Sequence, residues 1–468
     1  MPRKRTKRTR KSISNEGEET ISAQNAKEQL NGEEEAYKED SENISMLGHY
    51  ITKEYELLRL VLSYLPLRDL NAAAQVCKTW QSAVDVIKRS RHARPQWLFW
   101  HSRQKEIGSE ELPHHLFSRH FFSEPQLCLM FMTHKLTTTE INCRRAKAPC
   151  PCGSEGKHNC NMKHRILHYM RAELSNCPCV LVEGFGVVGT SNDLSFTAEI
   201  EGYNAYSGLL LPKTPSISVN VFHFTKEKCI RFNLLETVSN EEIKCFTKLS
   251  PSTEPIRCLL LFCRENYSHT VEKLVPAIEA SQGSKFAVGG GFFDSINVGS
   301  LAPMNERRHV CLLGIALSGE GIHAASTVLR DEITDQAKVI EVMEELRSCQ
   351  LPGQDSAAFM FACCGRGRGW YMEDNVESAC FRHLFPTTPL VGYFGAGEIG
   401  HKFFPETCLQ ERQKGKKPPN EDDDDLIRSY TTVFVGSFVK FFCDEENLGL
   451  GLLRPNLPYC LRFLILLI

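Results

Sequence analysis

Missing from this 468-residue chain is any apolar run long enough to cross a bilayer. The longest, LRFLILLI over residues 461–468, falls well short of the roughly 18 residues a membrane span needs. A dominant charge of either sign is missing too, since 55 Lys and Arg stand against 57 Asp and Glu, a net charge of -2. That balance argues against a nucleic acid as the direct partner. The N-terminus is polar and charged and lacks the apolar stretch of a secretory leader. The 20 cysteines therefore read as reduced thiols, not as a disulfide framework, and the expected class is soluble and intracellular. No nucleophile–base pair, phosphate loop or paired-carboxylate signature stands out, so no catalytic residue is expected and the chain is not read as an enzyme.

The residues that are present divide by texture. Residues 1–11, MPRKRTKRTRK, are densely basic, and the stretch after them is acidic. Neither carries helical or strand periodicity, so residues 1–48 are expected to be a disordered tail, the basic block serving nuclear import. Order begins near Tyr50. In YELLRLVLSYLP the residues Leu57, Leu58, Val61, Leu62 and Leu65 recur at helical spacing, and Pro66 prevents continuation. Asp69 is placed to cap a second helix with Leu70, Ala73, Ala74 and Cys77 inward, and Trp80 and Val84 carry the stripe into a third. Three short helices enclose a core too small to be very stable alone, so a partner is expected to cover the remaining apolar surface.

From about residue 110 the pattern changes to mixed α/β. Strands are expected at CVLVEGFGVVG, SVNVFHF, IRCLLLFC, KFAVGGGFF, HVCLLGIAL, GIHAASTVL, AAFMFACC, PLVGYFG and SYTTVFVGSFV. SGEG, residues 318–321, reads as a hairpin turn between two of them. Helices are expected at TVEKLVPAIEAS, at DQAKVIEVMEELRS with Val339, Ile340, Met343 and Leu346 inward, and at NVESACFRHLF with Val376, Ala379, Cys380 and Leu384 inward. Strands interleaved with helices, together with a direct hairpin, imply mixed sheets.

LSYLPLRDLNAAAQVCKTWQSAV, within residues 50–97, resembles the F-box: Leu-Pro at the first turn, Asp-Leu opening the second helix, then Val76, Cys77 and Trp80. The chain departs from many F-boxes in lacking an earlier Leu-Pro pair. Three later strings, FMFACCGRGRGWY (359–371), PLVGYFGAGEIG (389–400) and SYTTVFVGSF (429–438), resemble the FIST domain. The resemblance implies a three-helix F-box, then a FIST N-terminal-like part with a Cys-rich insertion over 110–250, and a FIST C-terminal domain over 255–440. Residues 441–468 stand apart as an apolar tail. In such proteins the F-box docks on a Skp-type adaptor, which links it to a cullin scaffold and a RING subunit. Leu65, Pro66, Leu70, Val76, Cys77 and Trp80 are the expected adaptor-facing residues.

GAGEIG, Gly395 to Gly400, spells a dinucleotide-binding fingerprint. The segment after Gly400 has Pro405 and no helical stripe, so the phosphate-binding helix is lacking and the match is one of spelling. In FIST-like proteins this turn and the GRG turn border a small-ligand pocket. The resemblance thus marks Cys363, Gly365, Arg366, Gly367, Gly397 and Glu398 as ligand- or substrate-binding candidates, with Arg366 and Glu398 reading a charged group. The structural alternative is that the glycines serve tight turns and Arg366 pairs with Glu398 or with solvent. Arg366 and Arg368 stand close enough in sequence to lower the pKa of Cys363 or Cys364. One of those two thiols should face the core.

CPCGSEGKHNCNMKH offers Cys150, Cys152, Cys160 and either His158 or His164 as zinc ligands and resembles the small SEC-C zinc motif, with one residue fewer before the third cysteine. A loop of reduced thiols is the alternative, and no cofactor is otherwise expected. The leading functional expectation is a non-catalytic substrate receptor of a Skp–cullin–F-box ubiquitin ligase, acting in nucleus and cytoplasm and marking protein targets for proteasomal degradation. The other is a small-ligand sensor or signalling scaffold with a degenerate F-box.

Overall fold

The computed structural model describes residues 54–90, 95–103, 124–142, 159–174, 177–214, 216–249, 254–293, 295–298, 309–349, 356–405 and 425–439. The first of these is a helical unit of its own. Helices α1 (Tyr55–Leu62), α2 (Leu67–Ala73) and α3 (Lys78–Ser90) succeed one another with short turns. Leu58, Leu62, Leu70, Ala73, Ala83, Val84 and Ile87 form the core, with Val61, Leu65 and Trp80 packed against it half-buried. Pro66, not Asp69, occupies the N-cap of α2, and Asp69 lies in the first turn, where its charge favours the positive end of the helix.

The remaining described residues make a second unit. Its strands run in chain order β1 (Gln96–His101), β2 (Pro125–Thr133), β3 (Glu140–Asn142), β4 (Asn159–Asn161), β5 (Cys179–Gly184), β6 (Gly186–Thr190) and β7 (Thr197–Glu201). Then come β8 (Ala205–Pro212), β9 (Ser218–Thr225), β10 (Ile256–Cys263), β11 (Ala287–Phe292), β12 (Ser295–Val298), β13 (Val310–Ser318) and β14 (Ile322–Leu329). Last are β15 (Ser356–Cys363), β16 (Leu390–Gly395), β17 (Glu398–Gly400), β18 (Ile427–Arg428) and β19 (Thr432–Val439). Three larger sheets result, ordered β1-β8-β2-β5-β12, β18-β17-β11-β10-β13-β9 and β14-β19-β15-β16-β6-β7. Each is mixed: β2–β5, β10–β11 and β15–β16 pair parallel, while pairs such as β1–β8, β10–β13 and β14–β19 are antiparallel.

The stretches 110–250 and 255–440 do not separate. β6 and β7 complete a sheet made from the later part, β9 edges another, and β12 returns to the earlier one. One core joins all three sheets. At its centre Phe131 stacks on Tyr393 at 5.4 Å between ring centroids, and Phe262 and Phe361 close the group at 5.8 Å from each other. Burying four such rings is the kind of apolar payload that holds sheets together in the absence of covalent links.

Two expectations fail here. SGEG is not a hairpin turn: β13 pairs with β9 and β10, whereas β14 pairs with β19 in a different sheet. Both strands are buried along nearly their whole length. No alternation of polar and apolar residues marks one face, so nothing local dictates which strand each should pair with. CVLVEGFGVVG is likewise two strands, β5 and β6, in different sheets, broken at the exposed Phe185. A Cβ at Gly184 would lie 2.6 Å from the Tyr393 ring, so the crossing needs that glycine.

The packed helices are α4 (His134–Thr138), α5 (Met162–Glu173), α6 (Lys226–Asn233), α7 (Asn240–Thr247), α8 (Ser268–Gln282), α9 (Gln336–Arg347), α10 (Arg368–Tyr371) and α11 (Val376–Leu384). On α9 the expected Val339, Met343 and Leu346 are buried, with Ile340 packed at the edge. On α11 Val376, Cys380 and Leu384 are buried as expected, but Ala379 is exposed. Glu377, Ser378 and Phe381 are buried instead, so the inner face of α11 is turned toward polar company.

Candidate functional sites: the helical box and the GRG turn

In the box the expected contact residues are placed differently from one another. Val76 is 63% exposed and Cys77 is exposed as well. Leu65, Pro66 and Trp80 are half-buried, and Leu70 closes the core at 0% exposure. Leu70 therefore lies inside the box and not on its surface. Leu57 and Leu60, by contrast, are 45% and 43% exposed on α1. The signal for them was in the sequence: YELLRLVL carries more apolar residues than one helical stripe can bury.

At the GRG turn, β15 ends at Cys363 and the chain folds back, Arg366 N–H donating to the Cys363 carbonyl at 2.9 Å. Cys363 faces the core and Cys364 faces out. Gly365 lies under the Tyr430 ring, 2.8 Å from where a Cβ would stand. Gly367 has φ +72, and a Cβ there would fall 2.1 Å from Glu201 Oε1. The left-handed backbone at Gly367 is what favours glycine there. Gly397, with φ +150, makes the turn from β16 into β17. GAGEIG thus runs strand, turn, strand, and the helix that would receive a phosphate is replaced by β17.

Arg366 pairs with Glu377 and not, as the structural alternative had it, with Glu398 or solvent. Its guanidinium is 1% exposed. Nε donates to Glu377 Oε1 at 2.7 Å, Nη1 to the carbonyls of Arg330 at 3.1 Å and Tyr430 at 3.0 Å, and Nη2 to the Ile333 carbonyl at 3.3 Å and the Tyr371 hydroxyl. A guanidinium has five N–H groups, and all are taken within the fold. The Tyr371 hydroxyl also donates to Glu377 Oε1 at 2.8 Å, and the Trp370 ring covers the cation at 5.3 Å. Residues far apart in sequence (330, 333, 371, 377 and 430) are thereby tied to one side chain.

Glu398 is buried at 0% exposure and accepts from Thr431 N–H at 3.1 Å and Thr431 Oγ1 at 2.6 Å. Burial pushes its carboxyl up to about 8. The expected activation fails at Cys364. Burial raises the Cys364 pKa, and Cys363 and Glu398 add to the effect. Glu199, which no sequence motif connects with this turn, accepts from Ser378 N–H at 2.8 Å while its own N–H donates to Asn375 Oδ1 at 2.7 Å.

Of the Cys-rich string, Cys150, Cys152 and His158 lie outside the described residues. Cys160 is buried on β4 and His164 is exposed on α5. Among the described residues no group of three or more His, Cys, Asp or Glu side chains is placed to hold a metal.

Comparison with known families agrees with this division. Residues 55–92 match the F-box domain, and residues 312–401 match the FIST C domain. The chain therefore contains an F-box domain and a FIST C domain. Over 399 residues it is 25% identical to F-box only protein 22 of Homo sapiens and to that of Pongo abelii, an overlap of 81% of this chain and 91% of each relative. It is also 32% identical over 85 residues to an uncharacterized protein of Mycobacterium tuberculosis, 18% of this chain and 22% of that one.

Proposed function

We propose that this chain is the target-recognition subunit of a Skp–cullin–F-box ubiquitin ligase. In that role the box binds a Skp-type adaptor, which recruits the cullin and RING subunits, and the FIST region holds a protein target for ubiquitination and degradation. The observation that carries the reading is an F-box whose three helices close a core and still leave Leu57, Leu60 and Val76 in solvent. Apolar residues of that size on so small a unit are best accounted for by a second polypeptide. The chain's own contribution to the reaction is proximity: a tethered target lysine sees a high effective concentration of charged ubiquitin carrier.

Supporting the receptor reading over a small-ligand sensor is the fate of the two expected readers. Arg366 has no donor left for a ligand, and Glu398 is sealed from solvent. The basic run 1–11 supports action in the nucleus as well as the cytoplasm, and its deletion is expected to reduce the nuclear share. The central test is co-purification of the full chain with a Skp-type adaptor and cullin. Wild type is expected to bring down both, and their absence overturns the proposal.

A further inference from the structure

Under the turn from Cys364 to Ser378, three carboxyls and one guanidinium are shut away from water. Glu199 is 6% exposed, Glu377 and Glu398 are 0% and Arg366 is 1%. Each carboxyl commits one oxygen: Glu199 to Ser378 N–H, Glu377 to Arg366 and Tyr371, Glu398 to Thr431. The second oxygens, Glu199 Oε2, Glu377 Oε2 and Glu398 Oε1, have no hydrogen-bond partner among the described residues. Three carboxylates beside one guanidinium would leave an excess of two negative charges in a dry site. An uncompensated buried charge is costly enough that such groups usually take up a proton instead.

The surrounding groups do not supply the missing cations. Arg368 and Arg103 flank Asp374 at 3.7 and 4.0 Å, on the outer side of the turn. Glu201, the last residue of β7, adds a further acid and accepts from the Arg368 amide. Arg382 of α11 donates to Thr197 Oγ1 and loop carbonyls, and Arg428 of β18 donates from Nε to the Gly400 carbonyl. Burial raises the Tyr371 hydroxyl and the thiols of Cys364 and Cys380, so these stay neutral.

We propose that this cluster is a proton-held latch: Glu199 and Glu398 keep their protons while the turn is closed, and losing them releases residues 364–378. Burial, with repulsion from Glu377, pushes both acids up to about 8. The Ser378 amide at the start of α11 favours the Glu199 anion, yet one donor does not offset burial and a neighbouring carboxylate. Ionised Glu199 then opposes ionised Glu377 where β7 meets α11 and drives the first turn of that helix away. The freed segment includes Trp370 and the 86% exposed Met372, so its outer surface changes with it. The latch stands whether or not the box binds an adaptor.

Hydrogen exchange of the full chain between pH 6.5 and 9, corrected for the intrinsic pH dependence of exchange, tests it. Protection of residues 364–378 is expected to fall at least about tenfold above pH 8 while β10 keeps its protection. The Glu199→Gln, Glu398→Gln double variant is expected to hold its protection throughout. Constant wild-type protection overturns the latch even if the variant does not fold. A fall shared equally by β10, or a double variant that loses protection as wild type does, overturns it too.

Discussion

The box and the FIST region are inside out with respect to each other. The box leaves Leu57, Leu60 and Val76 in water, whereas the sheet region takes Arg366, Glu377, Glu199 and Glu398 out of it. Size explains the first: three helices have one thin core, and residues beyond one stripe per helix have nowhere to go. Connectivity explains the second. In the sheet region the GRG turn must meet the 330–333 loop, α11 and the 430 corner, and a guanidinium with five donors satisfies several carbonyls at once. Exposed apolar surface in the first case suits a partner, and buried charge in the second suits a fixed geometry.

The strongest way to break this contrast is to remove the buried cation. Arg366→Met strands Glu377 without its counter-charge and is expected to cost about 3–5 kcal/mol, a large share of ordinary domain stability. The neighbouring Arg368→Met, an exposed side chain, is expected to change stability by less than about 0.5 kcal/mol. Denaturant unfolding of the two variants side by side decides the matter. Equal effects would mean that the network does not hold the turn.

Within the box, Leu70→Ala is the matching probe of the interior. It is expected to cost about 2–5 kcal/mol and to melt the three helices, read as lost helical signal. The exposed Val76→Asp should leave the fold intact, its cost within about 0.5 kcal/mol. Adaptor binding should nevertheless fall.

A smaller effect separates the two regions by pH. Glu199 and Glu398 titrate near 8 in the folded chain, against about 4.5 for an ordinary Glu. Between those values the folded state holds protons that the unfolded state has released. Stability from these groups is therefore complete below about pH 4.5 and is lost as pH climbs to about 8. Glu398→Gln is expected to flatten the profile of the sheet region and leave the box unchanged, as measured by unfolding at a series of pH values. An unaltered slope would show that Glu398 is ionised throughout.

The sequence shows where strands and helices lie far better than how they associate. The apolar runs at IRCLLLFC and AAFMFACC become β10 and β15, as short continuous apolar runs bounded by polar or turn residues do when a strand is buried on both faces. Their partners were hidden, since a strand buried on both faces carries no mark of its sheet. The SGEG turn, joining sheets instead of pairing neighbours, is the consequence. The candidate site was half legible. GRGRG and GAGEIG mark tight turns, and the left-handed backbone at Gly367 favours glycine. The partner of Arg366 was not legible: Glu377 looks like any solvent-facing acid on a helix, and Glu199 reaches the turn from more than 160 residues upstream. On the box, counting apolar residues foretold an exposed surplus, but only packing shows that Leu57 and Leu60 belong to it and Leu70 does not.

The most direct measurement is the affinity of the full chain for a purified Skp-type adaptor, wild type against the Leu57→Asp, Val76→Asp double variant, with thermal unfolding of both as a control. Wild type is expected to bind, and the variant to lose at least about a hundredfold in affinity at nearly unchanged unfolding temperature. A folded variant that binds as tightly as wild type, or a wild-type chain that does not bind at all, contradicts this expectation.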